Sequence, residues 1–461
     1  MRTDLNLSRR ALLSALGIGA AGLGLSACNT PTSAGQSAAG DEDLTRSGFS
    51  QADVNVPSRY QGRTAILFWA PFTGVNLEAL ENQLTAFNES QDDIYAAAES
   101  VGNYADLNTQ FTAALQARQV PDIVCFPEMQ WLQFYFAGAL APMDRHFDSE
   151  WSLDVYMQNY ISEGIAAGQT YVVPFARSTP LFYYNKERFV ELGLPEEGPG
   201  TWEDFAEMAP ALGEVQVQGQ PLAAMAFGSG DAWYGNSHIW TWGGRWSDDN
   251  LQVTADQEAT YEWLNWKSRF IHDNGFGYLA QSPLTDFNTG LAAAAHGSTA
   301  SLRGATEAAQ FEIGTSFLLG KDSVGPEVPT GGSGLSIVKA ESKERQDACA
   351  ELFRFLARPE QSAQYHIDTG YVPIVQAAHD HDLVKDQVAR DPNYGTALAQ
   401  LPNARTVDEV TWFQAGTQEV SRAMERVYGD NADVEVVVQD LHRELSAILD
   451  ANRADIEEVL S

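Results

Sequence analysis

Beyond residue 62 the apolar positions alternate between short continuous runs and helical repeats. Thr64–Trp69 (TAILFW) is an unbroken apolar run, the mark of a strand covered on both faces. Leu77, Leu80, Leu84 and Phe87 then recur at helical spacing, and Leu107, Phe111 and Leu115 repeat the pattern. Asp122–Phe126, behind Pro121, is another short apolar strand. A strand starting at Tyr171–Phe175 continues past Pro180 into Leu181–Asn185. Thr201 opens a helix with Asp204 three residues on, a weaker relative of the capping box. An aromatic helix is expected over 259–272, a strand at Leu335–Val338, and a helix over 342–357 closed by Pro359. A terminal amphipathic helix follows over 433–452. This alternation predicts an α/β fold with a largely parallel sheet, and about 400 residues suffice for two lobes. No repeat of solenoid period is present.

The first 62 residues obey a different pattern. Arg2, Arg9 and Arg10 precede an uncharged apolar run from Ala11 to Ala27, too short to span a bilayer comfortably and built like a secretory signal. The run ends Leu25-Ser26-Ala27-Cys28, which resembles the bacterial lipobox. That resemblance implies a signal peptide over 1–27 and a lipidated (palmitate-bearing) Cys28 as the mature N-terminus. Ser8-Arg9-Arg10-Ala11-Leu12-Leu13 resembles the twin-arginine (Tat) motif, with Ala11-Leu12 departing slightly from its apolar pair; the general secretory route stays open. Gly17-Ile18-Gly19-Ala20-Ala21-Gly22 matches a dinucleotide fingerprint but falls inside the signal, without the strand that the motif requires. Residues 28–62, rich in Ser, Ala, Gly, Thr and Asp, read as a flexible tether.

Composition narrows the function. A formal charge of −34 repels polyanions, and no basic stripe with interleaved aromatics appears, so nucleic acid is not an expected partner. The 11 Trp and 16 Tyr belong either to cores or to sugar-stacking faces. Cys125 in a strand-like run and Cys349 in a helix-like one read as buried free thiols, although an extracytoplasmic site permits a disulfide. No Cys/His set has zinc spacing, and His379-Asp380-His381 reads as a solvated loop, so neither metal nor cofactor is expected. No G-x-S-x-G elbow, H-E-x-x-H or recognisable Ser/His/Asp set marks a catalytic centre.

Tyr183-Tyr184-Asn185-Lys186-Glu187-Arg188-Phe189, Glu191–Pro195 and Thr201-Trp202-Glu203-Asp204-Phe205 resemble the extracytoplasmic solute-binding proteins of ATP-driven (ABC) importers, in their carbohydrate-binding family. Phe287–Ser301, Gly331-Gly332-Ser333-Gly334 with the helix up to Pro359-Glu360, and Thr369-Gly370-Tyr371-Val372-Pro373 agree with it in order. The resemblance covers 63–461. Arg177-Ser178-Thr179-Pro180 and the TGYVPI string are most similar to the glycerol-3-phosphate and glycerophosphodiester branch. It implies a type II, two-lobed fold with crossing hinge strands, lobe I over 63–174 plus 331–375 and lobe II over 175–330 plus 376–461. It also implies a monomer that binds without chemistry. Such a protein is held on the outer face of the cell membrane by lipid alone, and hands its solute to the transmembrane subunits of a permease.

Within that frame the candidate contacts are Trp69, Tyr104, Glu128, Arg177, Ser178, Trp233, Trp242, Ser298, Gly332, Tyr371 and Trp412. Trp69 ends the first strand, where open α/β sheets place ligands, and is equally suited to a core. Tyr104, Glu128, Ser178, Ser298, Gly332 and Tyr371 match pocket positions of the family, and Trp233 and Trp242 its stacking wall. Gly332 is also explained by a tight turn alone. Arg177 replaces a Ser of the glycerol-phosphate branch; it either grips an anion through its planar fork or pairs with a neighbouring Glu. Trp412 stands where that branch carries a phosphate-gripping Arg, which favours a neutral sugar or polyol. A glycerol-3-phosphate or glycerophosphodiester ligand is the alternative, and a secreted glycosidase using two carboxylates is the rival from another class.

Overall fold

The structure is a computed structural model that describes residues 48–228, 232–322 and 325–461. The signal, the twin-arginine pair, the Gly17–Gly22 match and Cys28 lie outside the described residues.

In chain order the elements that position the site are β1 (Thr64–Ala70), α1 (Gly74–Ser90), β2 (Ile94–Ser100), α2 (Tyr104–Ala117), β3 (Ile123–Pro127), β4 (Leu140–Ala141), β5 (Val173–Ser178) and β6 (Pro180–Asn185). They continue as α3 (Trp202–Gly213), β7 (Ala223–Gly228), α4 (Ala232–Thr241), α5 (Glu258–Ser268), β8 (Gly277–Ala280), β9 (Ala292–Ser298), β10 (Ile313–Phe317) and β11 (Gly331–Val338). The last four are α6 (Lys343–Leu356), α7 (Pro359–Thr369), α8 (Gln414–Tyr428) and α9 (Val434–Leu460).

These build two sheets. The first runs β2-β1-β3-β11-β4, with β5 also paired to β11; the second runs β8-β7-β9-β6-β10. Each has a parallel core and antiparallel additions: β1 lies parallel to β2 and β3, but β11 opposes β3, β4 and β5. Likewise β7 lies parallel to β8 and β9, while β6 opposes β9 and β10. The sheets are therefore mixed, because the strands that connect the lobes enter against the direction of the βα units.

The long strand read across 171–185 divides at Thr179. β5 belongs to the first sheet and β6 to the second, with every residue of both buried. Pro180 has no N–H to donate, which suits the first position of a strand. The Thr179 carbonyl accepts from Thr299 N (3.0 Å) and fixes the crossing.

Local signals hold elsewhere. Thr201 and Asp204 form a reciprocal capping box, both bonds at 3.1 Å. The aromatic helix ends at Ser268 and continues as one π-turn over Arg269–Asp273. Pro359 closes α6 and also starts α7, since its fixed φ suits a first helical position. The terminal helix runs on to Leu460, where Ala167 N donates to Val459 O (3.3 Å), so α9 reaches back to the first lobe.

Residues 48–61, assigned by composition to the tether, lie docked on the first lobe. Ser50 and Gln51 pair with Gln119 and Val120, Phe49 is buried, and Tyr60 stacks on Tyr95 at 4.9 Å. Two aromatic side chains with partners outweigh a polar average. Cys125 and Cys349 are both buried free thiols. His381 caps the helix that follows it, and His379 bonds to Pro373 O (3.1 Å). No metal-type cluster occurs among the described residues, and none of their helices is long and apolar enough to cross a membrane.

Candidate ligand-binding cleft

Where the two sheets meet, seven of the expected residues converge with Glu163 and Thr330, which the motifs did not mark. The first lobe contributes Tyr104 and Glu128. Tyr104 opens α2, whose N-cap Asn103 forms a capping box with Asp106. Its hydroxyl lies among Cys125, Ser333, Glu128 and Tyr371, and burial raises its pKa well above the usual phenol range. Glu128 follows β3 with φ +22°, an unusual backbone for a residue other than glycine. Desolvation pushes its carboxyl up to about 8, against the pull of Arg177 and with the push of Glu163.

The crossing strands supply the floor. Gly331 pairs with Ser178 and Gly332 with Arg177, next to a register shift in β11. Gly332 has φ +81°, and a Cβ there would stand 2.0 Å from Ala176 O. The positive φ and the close backbone approach together demand glycine. Gly331 lies under Trp233: a Cβ would meet Cζ2 of that ring at 2.2 Å, and the indole Nε1 donates to Thr330 O (2.9 Å). Ser333 accepts from the Cys125 thiol at 3.0 Å.

Tyr371 follows Gly370, which ends α7 with φ +95°. Its ring stacks on Tyr365, with centroids 5.8 Å apart and planes 8° apart.

Arg177 is buried, at 3 % exposure, and pairs with the equally buried Glu163. Its guanidinium lies 4.6 Å over the Tyr160 ring. Thr330 Oγ1 donates to the other Glu163 oxygen, and Trp131 Nε1 donates to the Glu163 main-chain carbonyl at 2.8 Å. Of the two readings of Arg177, the geometry takes the ion pair with a neighbouring Glu.

The other candidates lie apart from this cluster. Trp412 is on the wall of an adjoining cavity of about 870 Å³, with Met129, Glu163, Arg245, Arg405 and Asp408. Ser298 ends β9; its hydroxyl accepts from Ala300 N (3.2 Å) and its carbonyl from Tyr183 (2.6 Å). Trp69 donates to Glu99 at 3.0 Å along the β1–β2 ladder. Trp242 packs on Trp266 (6.1 Å) with Lys321 6.0 Å from its ring, inside the second lobe.

Four residues line the cluster or the adjoining cavity without having been singled out in the sequence: Glu163 and Thr330 in the first, Arg245 and Arg405 (with Glu163) in the second. Both of these arginines are already engaged. Arg245 meets Glu327 at 2.7 Å, while Arg405 meets Glu327 at 3.4 Å and Asp408 at 3.6 Å. Burial raises the Asp408 and Glu409 carboxyls above their usual range. The cleft thus offers aromatic faces, hydroxyls and carboxylates, with its cations ion-paired.

The description "Bacterial extracellular solute-binding protein" fits residues 82–396 of this chain. The sn-glycerol-3-phosphate-binding periplasmic protein UgpB of Escherichia coli (strain K12) is 27% identical over 373 residues, which cover 74% of this chain and 82% of that one. The crystal structure of UgpB from Mycobacterium tuberculosis in complex with glycerophosphocholine superposes with a TM-score of 0.79 at 31% identity, over 84% of this chain and 99% of that one. The cyclic alpha-maltosyl-1,6-maltose binding protein of Arthrobacter globiformis shares the fold, with a TM-score of 0.72 at 20% identity over 84% and 99% of the two chains. The chain belongs to the bacterial extracellular solute-binding protein family, with the two-lobed type II architecture of its relatives.

Proposed function

We propose that this protein is a lipid-anchored receptor, held outside the cell membrane through Cys28, which captures a sugar or sugar-like polyol between its lobes and delivers it to an ABC importer. The observation that carries the ligand class is the combination of the Trp233, Tyr104 and Tyr371 rings with hydroxyl partners, in a cleft whose arginines are neutralised by carboxylates. Apolar C–H faces need rings and hydroxyls need convergent polar groups; a phosphate needs a free cation. Closure of the lobes around a bound solute is the motion such folds use.

Calorimetry with a panel of neutral sugars, glycerol, glycerol 3-phosphate and glycerophosphocholine tests the reading. Saturable heat with a neutral polyol is expected, and no heat from any of them with the protein shown folded removes the claim. Trp233→Ala is expected to weaken that binding about 10- to 100-fold, as loss of a central aromatic anchor does. A glycerophosphodiester is the second reading, favoured by the glycerophosphocholine complex of the relative at 31% identity.

Glu128 gives a pH signature. Its folded-state pKa of about 8 lies above the ordinary 4.5, so the folded protein holds the proton more tightly. That contribution to stability is complete below pH 4.5 and is lost as pH rises through about 8. Glu128→Gln cannot ionise, so its thermal midpoint minus that of the wild type is expected to grow between about pH 5 and about pH 9. Scanning calorimetry across that range checks it, and a constant difference contradicts the assignment.

A further inference from the structure

The same cleft contains an arrangement that the capture of a polyol does not use. Arg177, on β5, and Thr330, just before β11, aim their donors at one carboxylate, a charged guanidinium and a hydroxyl of the kind that hold a phosphate or carboxylate. That carboxylate is the protein's own, on Glu163. Glu163 borders the 870 Å³ cavity, is 3 % exposed, and is held in place by the bond from Trp131 to its main chain. Arg177 Nε, equally buried, has no hydrogen-bond partner. The guanidinium therefore keeps unused donor capacity one side chain away from the cavity.

We propose that Glu163 is a built-in occupant of an anion subsite, a specificity-determining residue that takes the donors an anionic ligand would need and so restricts the cleft to solutes without net negative charge. The proposal rests on reading the cleft as the solute site. The surroundings act in the same direction. Asp248, Asp249, Asp408 and Glu409 line the cavity against Arg245 and Arg405, and both arginines are spoken for by carboxylates. An incoming anion would have to displace a carboxylate tethered to the chain, which acts at a high effective concentration. It would also enter a field of negative sign. A neutral polyol, or a zwitterion, meets neither obstacle.

The experiment measures binding of inorganic phosphate and of glycerol 3-phosphate, by calorimetry and thermal shift, to the wild type, Glu163→Gln and the double variant Glu163→Gln/Arg177→Met. Wild type is expected to bind neither anion measurably at millimolar concentration. Glu163→Gln is expected to bind at least one of them about tenfold or more tighter. The double variant, which lacks the cation, is expected to lose that gain. Glu163→Gln leaves Arg177 buried without its counter-ion, so it need not fold in plain buffer; folding restored by phosphate supports the proposal, because the anion then fills the vacated place. Four results overturn it: anion binding by the wild type equal to that of the variant, a folded Glu163→Gln with no gain, a gain that persists in the double variant, or a Glu163→Gln chain that stays unfolded at every phosphate concentration. Failure of the solute-site reading shows separately, as absence of heat from neutral solutes with the wild type.

Discussion

Gly332→Ala is expected to lower the thermal midpoint by about 6–12 °C and to abolish solute binding. Two effects add at this position. With φ at +81° the backbone lies where an L side chain is strained, and the new Cβ would overlap Ala176 O at 2.0 Å and Arg177 Cα at 2.9 Å. The left-handed conformation alone costs about 1–2 kcal/mol. Overlap with backbone of a neighbouring strand cannot be relieved by turning a side chain, so the total should reach about 3 kcal/mol or more. For a lobe of this size, each 1 kcal/mol moves the midpoint by roughly 2–4 °C. Relief must come from separating β11 and β5, and those strands carry Arg177, Ser178 and Ser333 into the cleft. Gly62→Ala is the control: its φ is +89°, yet nothing lies within 4 Å of the added atom. It should show only the conformational part and leave binding intact. Scanning calorimetry and a titration of both variants decide this; equal losses would show that crowding at Gly332 is unimportant.

Lys267→Met is expected to stabilise the protein, by about 1–4 kcal/mol at neutral pH. Lys267 has no exposed surface, and its Nζ has no hydrogen-bond partner. The Trp202 ring lies 2.7 Å away, with Phe227 at 5.0 Å and Trp266 at 5.1 Å. Two forces oppose each other. The aromatic rings attract an ammonium by about 2 kcal/mol when desolvated. Taking that ion out of water costs several kcal/mol, and the wet alternative is closed off. Desolvation wins, and burial holds the amine well below its ordinary pKa, against a weak upward pull from Glu203. His238 and His296, buried against the same lysine, are also held well below theirs.

The sign is the same for all three groups. Each binds fewer protons in the folded state than in the unfolded one, so stability rises with pH and is lost as pH falls. For the histidines the loss sets in as pH drops below about 6.5. For Lys267 stability continues to climb toward the ordinary lysine pKa of 10.5. Lys267→Met should remove the alkaline part of that slope and leave the histidine part. Thermal midpoints measured from about pH 5 to about pH 10 test this. A variant less stable than wild type would show that the rings hold a charged ammonium after all.

Several parts of the molecule could be read directly from the chain. β1 and β3 are continuous apolar runs because both faces of the first sheet are covered, by α1 and α6 on one side and by α2 and its neighbours on the other. Thr201 and Asp204 announce a helix start because the bonds that cap it are made within four residues. Tyr104, Glu128 and Tyr371 were marked by the family resemblance, and each stands next to a strand or helix end.

Other features have no local trace. Residues 48–61 are polar on average, and only the surface they meet reveals that Phe49 and Tyr60 are buried. Trp242 and Trp233 share an aromatic stretch with nothing to separate them. The turn of the chain after α4 sends Trp242 toward Trp266, while Trp233 covers Gly331. Lys267 lies in an aromatic helix with no sign that it lacks solvent.

The sequence by itself determined the α/β alternation, the cap at Thr201 and the family, because these depend on residues close together along the chain or in a fixed order, whereas the division of the 171–185 run between two sheets came from the structure. Only the tertiary structure decided which charges cancel. Glu163 and Arg177 are 14 residues apart, and Thr330 lies 167 residues beyond Glu163. Coulomb attraction and desolvation act through space, so whether an arginine in the cleft is free to hold an anion is settled by what the fold places beside it.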